Sequence, residues 1–135
     1  MPKQAAIVVN PSKFDDLDSI RGELDALAVE LGWARPQWFE TDPDDGGVQA
    51  AQRALASGAD VVCAFGGDGT VRAVGAALRG GEVPLGLLPA GTGNLLARNL
   101  GIPLDDPAAA FRVALGEVSQ RIDVGLIEFD GETRP

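Results

Sequence analysis

The chain has no histidine, no tyrosine and a single cysteine among its 135 residues. Each absence removes a class of function. Without histidine there is no Ser-His-Asp triad and no His-ligated zinc site. With Cys63 alone, inside an apolar run, no disulfide framework can form, which points to a reducing compartment. Crossing a bilayer as a helix takes roughly 20 consecutive apolar residues, and no segment supplies them. The opening Met1-Pro2-Lys3-Gln4 lacks the apolar stretch of a secretory signal, so a cytoplasmic protein is expected. Basic residues are scarce as well: 11 Lys and Arg against 20 Asp and Glu leave a net charge of −9. That balance argues against nucleic acid, whose binding rests on Lys and Arg at phosphates, and against broad adhesion to anionic membranes. If a phosphate is bound, backbone amides and a metal ion must supply much of the positive potential.

What remains is an ordinary globular composition, 45% hydrophobic and 23% charged, at a length suited to one domain. Short continuous apolar runs predict buried strands over 4–9, 37–40, 60–65 and 84–88. Leu17, Ile20, Leu24, Leu27 and Leu31 recur at steps of three and four, which places them on one helix face. Asp15 and Asp16 suit the start of that helix and Gly32 its end. Further helices are expected over 48–57, after the glycine run to about Arg79, over 95–100, and from Pro107 at a favoured first position to about Leu115. A last strand is expected over 119–129, and Asp130-Gly131 is a hairpin signal without a return strand. The expectation is therefore the N-terminal part of a longer protein. Strands alternating with helices predict an α/β fold, a layered parallel sheet with helices on both faces. In such sheets ligands bind beyond the carboxyl ends of the strands.

Four loops belong at that edge: Asn10 to Lys13, Thr41 to Pro43, Gly66 to Thr70, and Gly91 to Asn94. Gly66-Gly67-Asp68-Gly69-Thr70 is the most informative of them. A buried strand runs into three glycines and then into a helix, which allows a ligand close to the backbone and aims unpaired N–H groups at an anion. An aspartate there repels phosphate, so its place calls for a bridging metal ion or a proton to be taken from a nucleophile. The structural alternative is a tight turn with Asp68 as a helix cap. Thr92 and Asn94 have the same alternative as caps, and Asn10-Pro11 as a plain turn. The loops are neither a P-loop, since no G-x-x-x-x-G-K-S/T occurs, nor a complete G-x-G-x-x-G fingerprint. Asp42, Asp44 and Asp45 lack the spacing of a calcium loop and read as solvated. No metal ligand is assigned from the residues alone.

At these loops the chain resembles the diacylglycerol kinase catalytic-domain family, which includes bacterial lipid kinases and sphingosine kinases. The resembling elements are Val8-Val9-Asn10-Pro11, Glu40-Thr41, Phe65-Gly66-Gly67-Asp68-Gly69-Thr70-Val71, and 85–94, Leu-Gly-Leu-Leu-Pro-Ala-Gly-Thr-Gly-Asn. The first glycine element is shared with NAD kinases, and the second points to the lipid kinases. The resemblance implies an NAD kinase/diacylglycerol kinase-like N-terminal domain over 1–122, with 123–135 the start of a second, β-rich domain. It implies an ATP site made by Asn10, Pro11, Ser12, Thr41, Gly66, Gly67, Asp68, Gly69, Thr70, Val71, Arg72, Gly91, Thr92, Gly93 and Asn94. Asp68 is the implied catalytic or metal-linked carboxylate, with Mg²⁺ as cofactor. The implied reaction transfers the γ-phosphate of ATP to a hydroxyl of a diacylglycerol or sphingoid-like lipid, presented at a membrane surface. An NAD kinase-like enzyme and a non-catalytic nucleotide-binding regulatory domain are the alternatives, and a homodimer is compatible with the resemblance. Because the second domain supplies part of the cleft, the isolated 135 residues are expected to be inactive. The chain departs from the family pattern at Ser12-Lys13-Phe14, where a glycine is common, at Ala73, where glutamate is common, and at Leu95, where aspartate is common.

Overall fold

The computed structural model describes residues 2–90 and 106–116. Four strands, β1 (Ala5–Val9), β2 (Gln37–Glu40), β3 (Val61–Gly66) and β4 (Leu85–Pro89), form one sheet in the order β2-β1-β3-β4, and every pairing is parallel. The central strands β1 and β3 are buried along their whole length. A central parallel strand is covered on both faces, which is why AAIVV and VVCAFG are apolar without alternation. The edge strand β2 is half-exposed and carries Gln37 and Glu40 at its ends.

Four helices complete the described fold: α1 (Leu17–Glu30), α2 (Val48–Ala56), α3 (Asp68–Leu78) and α4 (Pro107–Ala114). Register decides which face each covers. Trp38, Ile7, Cys63 and Gly86 stand in one row across the strands, and side chains in one row point the same way. Trp38 Nε1 donates to Asp25 of α1 at 2.9 Å, and Ala114 of α4 lies over Gly86. That row therefore faces α1 and α4, which also touch each other. The adjacent row, Phe39, Val8, Ala64 and Leu87, faces the paired helices α2 and α3. The expected layered parallel sheet with helices on both faces is the observed one.

The ends follow from local chemistry. Asp16 caps α1 by accepting from Ser19 N–H at 3.1 Å, and Asp106 caps α4 by accepting from Ala109 N–H at 3.1 Å; each satisfies a donor that has no helical acceptor. The leucine stripe of α1 meets the core through Leu24 and Leu27, joined by Ala28, while Leu17, Ile20 and Leu31 pack at its margin. Strand and helix limits agree with the periodicity to within a residue or two, except at the start of α3. The helix expected over 95–100, the strand over 119–129 and the boundary after residue 122 lie outside the described residues.

Helix α4 approaches the sheet where the side chain is missing. A Cβ on Gly86 would lie 2.8 Å from both Ala114 Cβ and Cys63 Sγ. Cys63 is fully buried, and burial alone pushes its thiol up to about 12, so the reactive thiolate is not populated at neutral pH. Gly86→Ala is expected to cost about 1–3 kcal/mol through overpacking, read as a lower urea midpoint. In the parent protein Cys63 is expected to react with a thiol reagent only as the fold opens.

Candidate functional site

Because every strand runs the same way, all four carboxyl ends emerge on one edge of the sheet. The chain leaves β1 towards β2 on one side and returns to β3 on the other. The switch between β1 and β3 is where open α/β sheets form their crevice. Backbone bonds extend the ladder past the strands and tie the loops together there. Thr41 N–H donates to Val9 O at 2.9 Å, Asn10 N–H to Phe65 O at 3.0 Å, and Ala90 N–H to Gly66 O at 3.3 Å. Three of the four predicted loops thus converge. Gly91, Thr92, Gly93 and Asn94, which follow Ala90, lie outside the described residues.

The first loop is a 3₁₀ turn over Pro11–Lys13 with Asn10 at its N-cap. Asn10 Oδ1 accepts from Ser12 N–H at 3.1 Å and from Ser12 Oγ at 2.7 Å. Pro11 suits the first position because its missing N–H has no acceptor to lose. The turn is therefore shaped by its own side chains.

The glycine loop is shorter than the sequence pattern indicates. α3 starts at Asp68, with Gly67 as an extended N-cap and no side-chain cap, so Asp68 is not the cap but the first helical residue. Gly66 is the last residue of β3, so only Gly67 remains between strand and helix. Gly66 is demanded by contact, since a Cβ there would sit 2.5 Å from Thr70 Oγ1 and 3.3 Å from Asn10 Cβ. Thr70 is 5% exposed and Val71 is 2% exposed, so both side chains belong to the interior rather than to the edge. Val71 N–H bonds to Gly67 O at 3.2 Å, which leaves Gly69 and Thr70 N–H upstream of the first helical acceptor. Gly69 has open space where its Cβ would be. Asp68 stands half-exposed in this first turn, where the helix dipole favours a negative charge, and Arg72 is exposed one turn further on.

Thr41 sits beside α2 and α3. A Cβ on Gly47 would meet Thr41 Cγ2 at 3.1 Å and Ala73 Cβ at 3.6 Å. The acidic cluster next to it is structural. Asp45 accepts from Gly47 N–H at 2.9 Å and from Gln49 N–H at 3.1 Å, opening α2, and Asp42 accepts from Asp44 N–H at 2.9 Å. Among the described residues no three acidic, histidine or cysteine side chains gather as a metal site. The hydrogen bond from Gly47 N–H, followed by that from Gln49, holds the Asp45 carboxyl below its ordinary value of 3.8.

Lys13 closes the first predicted loop, but the sequence pattern assigned it no role in the site. Its Cε and Nζ both lie 3.9 Å from where a Cβ on Gly67 would be, so an ammonium reaches from the turn of β1 to the loop of β3. Its place in the same short turn as Asn10, where the chain departs from the family pattern, is the sequence signal that points to it.

The fold and this edge define an α/β domain with a glycine-built strand-to-helix turn at its switch point. The family model for the diacylglycerol kinase catalytic domain matches residues 4–127, and the chain belongs to that family. It is 43% identical over 77 residues to a diacylglycerol kinase of Mycobacterium tuberculosis, covering 57% of this chain and 25% of that protein. It is 35% identical over 132 residues to a Pseudomonas fluorescens protein named probable lipid kinase YegS-like, covering 94% and 42%. Among solved structures, a diacylglycerol kinase from Bacillus anthracis superposes with a TM-score of 0.65 at 25% identity, covering 84% of this chain and 39% of that one. The chain thus spans less than half the length of these relatives.

Two outcomes test the site geometry. Gly66→Ala is expected to lower the melting temperature, at a cost of about 1–3 kcal/mol, because Thr70 and Asn10 must both move. The Asp45 carboxyl is expected to titrate below 3.8 by carbon-detected NMR. Its folded value is depressed, so its hold on the start of α2 is complete above 3.8 and is lost as pH falls through the lower folded value.

Proposed function

We propose that this chain is the nucleotide-binding part of an ATP-dependent lipid kinase, acting on a diacylglycerol or sphingoid-like hydroxyl presented at a membrane surface. The observation that carries the reading is the convergence of the Asn10 turn, Thr41 and the Gly66-Gly67 turn on one sheet edge. The names of the similar proteins, diacylglycerol kinase and lipid kinase, support it. In this reading Asn10, Pro11, Ser12 and Thr41 hold the nucleoside side, and Gly91, Thr92, Gly93 and Asn94 complete it. The turn from Gly66 to Thr70, with Val71 and Arg72 behind it, receives the phosphates.

The residues fit a polyphosphate. Space is open over Gly69, helix N–H groups point there, and one carboxylate, Asp68, stands at the helix start. A single carboxylate suits Mg²⁺, which takes one or two carboxylates beside substrate phosphates and water; held through Asp68, the ion would offset phosphate charge. Phosphoryl transfer asks the protein chiefly for positioning and charge stabilisation. Gly69 and Thr70 N–H orient phosphate oxygens, and the buried Thr70 holds their backbone in place. Asp68 either accepts the proton of the attacking hydroxyl or binds the metal's water shell.

The isolated chain is expected to bind ATP weakly and to turn nothing over. In the natural full-length protein, Asp68→Ala is expected to lower kcat by about a hundredfold or more while circular dichroism shows the fold retained. Diacylglycerol, sphingosine and NAD are the acceptors to assay. Near-normal turnover in the variant refutes the role of Asp68. Phosphorylation of NAD alone, or ATP binding without turnover in the parent, refutes the lipid-kinase reading.

A further inference from the structure

We propose that Lys13 grips the polyphosphate tail of the nucleotide and that Phe14 is the positioning residue that holds it over the glycine turn. The inference rests on the nucleotide-site reading above and names a charge and an anchor within it. The chain contains no P-loop lysine, and with a net charge of −9 a local cation beside the backbone amides would add to the positive potential at a phosphate site. Lys13 supplies one from a different strand. It ends the 3₁₀ turn, with its N–H bonded to Asn10 O at 3.2 Å. Its Cε and Nζ both lie 3.9 Å from the Cβ position of Gly67, beside the N-terminus of α3. Among the described residues Lys13 makes no ion pair, so none of their carboxylates holds its ammonium. A lysine head is a compact charge with three donors on a flexible stem, and it is effective only when the stem is aimed.

Phe14 does the aiming. Its N–H bonds to Pro11 O at 3.3 Å and closes the turn. Its ring meets Phe65 edge-on, with centroids 4.7 Å apart and planes at 61°, an arrangement the ring quadrupoles favour. Phe65 is fully buried and is the residue immediately before Gly66. The stack adds to the Asn10 N–H to Phe65 O bond a second contact, at the Lys13 end of the turn, to the strand that ends in the glycines. Without the ring the turn keeps its Asn10 bonds, including Asn10 N–H to Phe65 O, but its Lys13 end loses the aromatic contact to β3.

The test is equilibrium binding of ATP and AMP to the natural full-length protein by calorimetry in Mg²⁺ buffer. Lys13→Gln is expected to weaken ATP binding about tenfold or more and AMP binding less than about twofold, whereas Lys13→Arg stays near the parent. Phe14→Ala is expected to reproduce the ATP-selective loss, and the double variant to be no weaker than Lys13→Gln alone, because both act through one contact. Phe14→Tyr is expected to restore binding, and it is the variant that decides positioning if Phe14→Ala melts early. ATP affinity unchanged in Lys13→Gln, equal losses for ATP and AMP, or additive losses in the double variant overturn this inference and leave the nucleotide site standing. Failure of the parent to bind ATP overturns both.

Discussion

Position 66 admits no side chain, and the candidate site is organised by that restriction. Its Cα lies so near Thr70 and Asn10 that three separate pieces of chain are drawn together: the turn after β1, the end of β3 and the first turn of α3. The contact sets the buried Thr70 side chain directly against the backbone of Gly66. It explains why α3 begins immediately after the strand, with its amino end turned to the edge. Everything that could meet an anion depends on this packing, although neither Gly66 nor the Thr70 side chain is itself exposed. The chemistry of the edge is set from beneath.

The same sheet separates two tasks. Its rows of apolar side chains are committed to the helices on either face, with Gly86 letting α4 settle onto Cys63. Its carboxyl edge holds polar groups, and most of these are engaged in shaping backbone. Asn10 Oδ1 takes two donors from Ser12, and Asp45 takes two from the start of α2. An acidic surface near the edge is accordingly not a surplus of ligands. Asp68 differs from these neighbours in standing at the head of a helix whose first N–H groups look outward.

Much of this was legible in the sequence. The continuous apolar runs of β1 and β3 could only be buried parallel strands once helices were seen between them, and the leucine stripe placed α1 against the core. The beginning of α3 was not legible, because Asp, Gly and Thr are turn formers by local propensity. Burial of Thr70 overrides that propensity and pulls all three residues into the helix. Gly86 was equally silent, since its necessity comes from Ala114, twenty-eight residues later. Lys13 and Phe14 looked like departures from the family pattern at the first turn. Their partners, Gly67 and Phe65, are more than fifty residues away, and only the pairing of β1 with β3 brings them within reach.

The charge balance acquires a kinetic meaning from this layout. If this edge receives a polyphosphate as proposed, the net charge of −9 on these 135 residues opposes its approach, and that repulsion is felt over about 8 Å at physiological ionic strength. Attraction begins only inside that distance, at the helix amino end and the ammonium beside it. Added salt then works in opposite directions on the two halves of an encounter, easing arrival and loosening the hold. A surface arranged in this way would tell anions apart by how long they stay rather than by how fast they arrive.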